Sequence, residues 1–212
     1  MSKLKWKPGT MVYPLPPVLV SCGTMDKSNI LTVAWTGIIC TDPSMTYVSI
    51  RKERHSYNII KESGEFVINL ASADLAKQVD YCGVKSGKLV DKFKECNFTK
   101  EQGTETSVPM IKECPISIEC RVKEIKELGT HDMFMAEILA VNVDEKYLDE
   151  TGRFDMRACN LLAYSHGHYY SLGEELGKFG FSVEKKKKIN LYILKAEVNF
   201  TSAKFSIELK LY

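Results

Sequence analysis

Neither of the two commonest nucleotide-binding signatures occurs in this 212-residue sequence: no G-x-G-x-x-G follows an apolar run, and there is no Walker-type phosphate loop. G-x-S-x-G and H-E-x-x-H are missing as well, so a hydrolase would need residues with no recognisable arrangement. Charge of one sign is also scarce. The net charge is +2 and no aromatic-and-basic stripe accompanies it, which argues against nucleic acid or a membrane surface as partner. No apolar run is long enough to cross a bilayer. The start, Met1-Ser2-Lys3-Leu4-Lys5, has no apolar secretory segment, so the expected location is cytoplasmic.

Paired-cysteine chemistry is absent too. The seven cysteines, Cys22, Cys40, Cys82, Cys96, Cys114, Cys120 and Cys159, are odd in number and scattered, with no C-x-x-C pair. Metal is therefore not expected, and neither is a thioredoxin-like motif or a disulfide framework. Cysteine reads instead as a small core residue of a reduced protein. What is present is an ordinary globular composition, 44% hydrophobic and 26% charged, enough for one sizeable core.

The first hundred residues read as strands divided by turn chemistry. Pro16-Pro17 precedes the apolar run Val18 to Val20, Ile30 to Ile39 is apolar and β-branched, and Asp42-Pro43-Ser44 separates it from Met45 to Ile50. Ser56 to Ser63 reads as a helix with Ser56 as its N-cap and Gly64 as its stop, and Phe66 to Leu70 as a strand. A second helix is expected from Ser72 to about Tyr81, with Gly83 to Cys96 irregular and basic. From Pro115 onward alternating apolar residues give one strand, the turn Leu128 to Asp132 follows, and Met133 to Val143 gives another. Many strands with few short helices predict a mainly β protein, a barrel or sandwich. The expected domain spans 1–184, and 185–212, opening with four lysines, is a C-terminal extension to which no role is assigned.

Two segments carry candidate chemistry. Ser28 to Gly37 sets Asn29 and Thr32, both hydrogen-bonding residues, beside the small Ala34 and Gly37 and the aromatic Trp35. That pattern suits the edge and face of a flat heterocycle, and it equally suits a plain barrel strand with an aromatic core residue. Ser49-Ile50-Arg51-Lys52-Glu53-Arg54-His55-Ser56 gathers cations and hydroxyls where a strand ends and a helix begins. Helix N–H groups and charge-assisted donors there fit a phosphate, and a solvated basic turn fits as well. The turn Gly129-Thr130-His131-Asp132 holds a single histidine, and Tyr164 to Tyr170 places His166 and His168 among tyrosines.

In their order along residues 8 to 182, these segments resemble the flavin-reductase-like FMN-binding family, and within it the flavoredoxin branch. The likeness rests on Pro16 to Ser21, Asn29 to Trp35, Asp42-Pro43 before Tyr47 to Arg51, Arg54-His55-Ser56, Gly64 to Asn69, Asp80 to Gly83, Asp91-Lys92-Phe93, Glu119-Cys120 and the Gly129 to His131 turn. The resemblance implies an FMN-binding split barrel of Greek-key arrangement that works as a homodimer with FMN near the subunit interface. It places Asn29, Thr32, Ala34, Trp35 and Thr36 along the ring system and ribityl chain, and Ser49, Ile50, Arg51, Arg54, His55 and Ser56 at the phosphate end. It sets Cys40 near the ring and matches His131 to a histidine used against nicotinamide, although the turn reads Gly-Thr-His where Gly-Asp-His is usual. The implied activity is that of an electron carrier or flavin reductase, served by NAD(P)H or a redox partner protein. An FMN-binding module without turnover is the alternative.

Overall fold

The structure is a computed structural model and describes residues 1–184. The chain divides into two compact units, Met1–Leu172 and a second beginning at Gly173. The extension expected from residue 185 lies outside the described residues. Of the second unit, the described part holds one short 3-10 turn, Phe181–Val183, and the ion pair Lys178–Glu184 at 3.1 Å.

The first unit is organised by seven antiparallel strands: β1 (Val18–Gly23), β2 (Ser28–Val33), β3 (Thr36–Thr41), β4 (Ser44–Ile50), β5 (Glu65–Leu70), β8 (Ile116–Glu127) and β9 (Asp132–Val143). Two short strands intervene, β6 (Lys100–Glu101) and β7 (Met110–Ile111), and a terminal hairpin joins β10 (Leu162–Ser165) to β11 (His168–Ser171). The order in the sheet is β2-β1-β5-β8-β9-β4-β3. Strand β4 therefore returns beside β9 while β5, β8 and β9 run side by side, a Greek-key arrangement.

The sheet is curled rather than flat. Five strand spacings, about 24 Å in a flat sheet, separate β2 from β4. Yet Leu31 and Val33 of β2 share one buried cluster with Val48 and Ile50 of β4 and Phe134 of β9. Only a barrel-like curl brings them together. Irregularities in the β8–β9 ladder, near Glu119/Cys120 and Val122/Glu124, supply bends of the kind that such curvature needs. Alternation then sorts the residues of β1: Val18, Val20 and Cys22 face the barrel core, while Leu19 turns to a second cluster. Strand β1 is buried on both faces, which is why its sequence is an apolar run rather than an alternating one.

Three helices complete the unit. Helix α1 (His55–Ser63) puts Tyr57 and Ile60 into the barrel core and stops at Gly64, whose φ of 69° is the left-handed conformation glycine adopts freely. Its N-cap is Arg54, two residues before the expected Ser56. Ser56 is buried and its Oγ accepts from Asn29 Nδ2 at 2.7 Å, so a tertiary bond has taken the hydroxyl that capping would have used. A 3-10 turn, Ala73–Leu75, leads into α2 (Ala76–Val84), which ends three residues later than the sequence suggested. The stretch read as irregular contains α3 (Lys92–Glu95), capped by the Asp91 carboxylate, which accepts from the Phe93 and Lys94 amides. Helices α2 and α3 cover the outer face of β1 and β2 through Val79, Cys82 and Phe93.

Two polar knots fix the sheet from outside. Asn69 Nδ2 donates to the Leu19 carbonyl and to Ser21 Oγ, while its Oδ1 accepts from the Ile111 amide and Ser117 Oγ. Glu119, 0% exposed, accepts from the amides of Thr104, Glu105 and Thr106, from both threonine hydroxyls and from Asn142. Burial alone would raise its pKa, but these donors overcome it and pull the carboxyl down to about 2. All seven cysteines are free, six of them buried. Among the described residues no helix is long and apolar enough to cross a membrane.

Candidate functional site

The expected single strand from Ser28 to Gly37 is broken. At Trp35 the chain makes a three-residue turn, with the Thr36 amide donating to the Ala34 carbonyl at 3.0 Å, and the Ser49 amide then holds the Trp35 carbonyl at 2.8 Å. The break separates β2 from β3 and leaves the indole at the barrel rim, 37% exposed. Thr36 follows it into the interior, where its hydroxyl donates to the Tyr47 carbonyl at 2.6 Å.

Strand register brings His131 to the same place. Ile50, the last residue of β4, pairs with Asp132, the first of β9, so the β8–β9 turn lies over the corner that follows β4. His131 stacks on Trp35 with 6.1 Å between ring centroids and 6° between planes. Three contacts hold the turn from below: buried Asp132 accepts from the Tyr57 hydroxyl, and Lys52 Nζ reaches Glu127 at 3.1 Å and Asp132 at 3.5 Å. Burial and then the charges of Arg51 and Arg54 lower the pKa of His131, with Glu53 opposing them, so the imidazole is neutral at neutral pH.

Around these residues lies a cleft of about 350 Å³. Leu31 to Trp35 form one wall together with Ser49, Ile50 and Arg51, and His131, Tyr164 and Tyr169 also line it. A second cavity of about 260 Å³ shares Leu31 and Arg54 with the first and adds Asn29, His55, Ser56, Lys85, Ser86, Gly87 and Lys92. The two shared residues set it beside the first. Its chemistry differs: one arginine, two lysines, one histidine and one carboxylate, Glu53, line it. The start of α1 opens here with no side-chain cap, leaving first-turn N–H groups for an external acceptor.

Lys92 sets the character of the second cavity. It is 3% exposed, and its ammonium donates to the carbonyls of Ile30 at 2.7 Å and Cys82 at 2.6 Å. Burial lowers its pKa, and the charge on Arg54 adds to the effect. His55 is likewise lowered, by burial and then by Lys88, Lys92 and Lys27. A Cβ at Gly87 would lie 2.0 Å from Asn29 Oδ1, so this loop can pack on Asn29 only because residue 87 is glycine.

The structure thus gathers Asn29, Thr32, Ala34, Trp35, Ser49, Ile50, Arg51, Arg54, His55, Ser56 and His131 around one bipartite cleft. Ile50 contributes little side chain to it, since that group sits in the barrel core. Thr32 also spends its hydroxyl elsewhere, on the Val79 carbonyl of α2. Thr36 and Cys40 line neither cavity, and the Cys40 thiol sits on β3 against the Asp42 carbonyl at 3.4 Å. Sequence reasoning missed Lys85, Ser86, Gly87 and Lys92 in the basic stretch. The signal available there was Asp91 as the N-cap of α3, while the inward turn of Lys92 depends on the distant Ile30 and Cys82 carbonyls. The aromatic hairpin was noted without being joined to the cleft. A wider third cleft of about 800 Å³, lined by Thr99, Glu113 and Asp144 among others, carries both signs of charge and none of the residues singled out.

The described chain is thus a curled antiparallel barrel in which an aromatic-lined cleft adjoins a cationic pocket at the start of α1. The chain belongs to the flavin reductase like domain family, whose match covers residues 10–173. Its fold is the split barrel of flavin-reductase-like proteins. Flavoredoxin of Desulfovibrio vulgaris (Miyazaki F) superposes with a TM-score of 0.79 at 32% identity, over 86% of this chain and 100% of that one. Flavoredoxin from Methanosarcina acetivorans gives 0.78 at 31% identity, over 87% and 100%. An FMN-binding protein from Thermus thermophilus, solved with bound 1-cyclohex-2-enone, gives 0.71 at 25% identity, over 84% and 99%.

Proposed function

We propose that this protein binds FMN non-covalently, with the phosphate in the cationic cavity and the ring system in the Trp35–His131 cleft, and works as an electron carrier or flavin reductase. The observation that carries this reading is the buried Lys92 ammonium beside an uncapped helix start: among the described residues it has carbonyl acceptors and no carboxylate. A dianionic phosphate is the chemistry such a pocket lacks. The neighbour from Thermus thermophilus, described as FMN-binding, supports the choice of flavin.

Bound there, FMN supplies a ring that accepts and releases hydride or single electrons. The chain's own residues do the rest. Arg54, His55, Ser56 and Lys92 surround the phosphate, with Asn29 locked to Ser56 so that strand and helix keep one spacing. The wall from Leu31 to Trp35 excludes water from one side of the ring and offers backbone groups to its polar edge. Neutral His131 adds no charge of its own to the cleft that Arg51 and Arg54 also line, compatible with an incoming nicotinamide or a partner's redox group. No side chain is asked to act as a strong base. Cys40, outside both cavities in one chain, has no part in this reading.

A second copy of the chain is the proposed partner. Strand β3 is a sheet edge carrying Ile38 at 84% exposure and Ile39 beside it, continuous with Trp35. Exposed apolar residues on an edge strand are what a homodimer would cover. Light scattering of the purified protein reads the oligomeric state directly, and a monomer at micromolar concentration refutes the dimer.

The decisive experiment for the flavin is an absorption spectrum. The protein as purified, or after addition of FMN and removal of excess, is expected to be yellow and to bleach with dithionite. A protein that stays colourless in both cases refutes the proposal. Stopped-flow mixing with NADH, NADPH or a reduced iron protein then separates reductase from carrier. FMN retained without bleaching by any of them leaves a binding module.

A further inference from the structure

Two thiols behind the cationic cavity sit in contact. Cys82, in the last turn of α2, and Cys96, which ends α3, have sulfurs 3.7 Å apart. They are 0% and 7% exposed and belong to the cluster packed outside β1 and β2. We propose that Cys82 and Cys96 form a second redox site, a dithiol that closes to a disulfide with a hydroperoxide as oxidant and thereby alters the anion-binding cavity. Its effect on that cavity rests on the flavin reading, and its chemistry does not.

The link to the cavity is short and runs through two hydrogen bonds to Lys92. The Cys82 carbonyl accepts from Lys92 Nζ at 2.6 Å, and the Cys96 amide donates to the Lys92 carbonyl at 3.1 Å. Lys92 is therefore bracketed by the two cysteines, through its side chain on one side and its main chain on the other. The next residue, Gly83, lines the ring cleft, and its carbonyl accepts from Arg54 at 3.3 Å. Closing the sulfurs from 3.7 Å to about 2.05 Å must draw the end of α2 and α3 together. Helix α3 has only four residues and yields more readily than the barrel behind it. Both carbonyls that position Lys92 and Arg54 move with the α2 end.

The chemistry balances with the peroxide named. One sulfur, as thiolate, attacks a peroxide oxygen and breaks the O–O bond, becoming a sulfenic acid while the leaving oxygen takes up a proton. The second sulfur attacks that sulfenic sulfur, the S–S bond forms, and water leaves. With hydrogen peroxide, two thiols are oxidised by two electrons and the peroxide becomes two waters. Burial raises the pKa of both thiols, that of Cys82 to about 12, which makes the first step slow. A small uncharged oxidant and a partner sulfur already in contact favour closure over further oxidation.

The test uses the full reduced chain, treated with hydrogen peroxide, blocked with N-ethylmaleimide and digested without reductant. A peptide containing Cys82 joined to one containing Cys96, abolished by dithiothreitol, is expected. Both residues recovered as maleimide adducts when Cys40 is already oxidised, or found as sulfinic acids, overturn the site. In parallel, the Kd for FMN is measured before and after oxidation. Oxidation is expected to weaken binding at least about tenfold, the worth of one displaced charge-assisted hydrogen bond, and dithiothreitol to restore it. Unchanged affinity in the cross-linked protein overturns the coupling. Cys82→Ala and Cys96→Ala are each expected to make FMN affinity indifferent to peroxide, and a fall in either variant also overturns it. Should the reduced chain take up no FMN, the flavin reading fails, while the peptide map still decides for or against the disulfide.

Discussion

Two buried charges in this molecule are treated in opposite ways. Glu119 is met by six donors from residues 104–106 and Asn142, all from its own chain. Lys92 is met by two carbonyls and is surrounded by further cations, Arg54 among them. The pKa values register the contrast: the carboxyl is stabilised in its charged form, the ammonium is destabilised in its own. A charge satisfied from within ties a fold together, whereas one left partly unmet beside a cavity is a request for a ligand. The region around Glu119 is architecture, and the region around Lys92 is the proposed anion site.

Substitutions should separate the two. The largest effect is expected at the architectural charge. Glu119→Gln replaces an acceptor of six donors with a group that must turn donors toward donors, and should lower unfolding free energy by about 3 kcal/mol in urea titrations. FMN affinity of the folded fraction should hold. Lys92→Met should do the reverse, weakening FMN binding by about 2 kcal/mol, some thirtyfold, with stability equal or improved because a poorly paired buried charge is gone. A loss of stability as large as that of Glu119→Gln would erase the distinction.

Arg54→Ala should weaken FMN by about 1.5 kcal/mol, less than Lys92→Met, since an exposed guanidinium is screened by water. Acid sharpens the same comparison. Because the pKa of Glu119 is depressed when folded, its stabilisation is present above its unfolded value, near 4.5, and disappears as pH falls toward 2. A stability profile of wild type should therefore drop through that window, and the profile of Glu119→Gln should be flatter. Smallest of all, Glu127→Gln removes an exposed ion pair to Lys52 and should cost less than about 0.5 kcal/mol.

Much of the fold could be read from the residues. Asp42-Pro43 and the Gly129 turn mark the hairpins correctly because turn chemistry is local. The barrel strands show in their β-branched runs. The basic corner at 49–56 was visible for the same reason, since charge density needs no tertiary context. What stayed hidden depends on contacts distant in sequence. Trp35 breaks a run that reads as one strand because the Ser49 amide waits for its carbonyl, and nothing near residue 35 announces that. Ser56 has the profile of a cap, but Asn29, on another strand, takes its hydroxyl. Helix α3 is too short for any periodicity, and the inward turn of Lys92 follows only from the Ile30 and Cys82 carbonyls.

The glycine at 87 has a consequence for anyone wishing to alter the ligand. Since a single methyl there would strike Asn29, whose bond to Ser56 ties β2 to the start of α1, the substitution Gly87→Ala would act as a wedge at the far end of the cavity. Such a wedge would pry the basic loop outward while sparing the aromatic slot. Under the proposed FMN reading, the position offers a one-carbon handle for trading a phosphorylated flavin against one that ends in a bare hydroxyl.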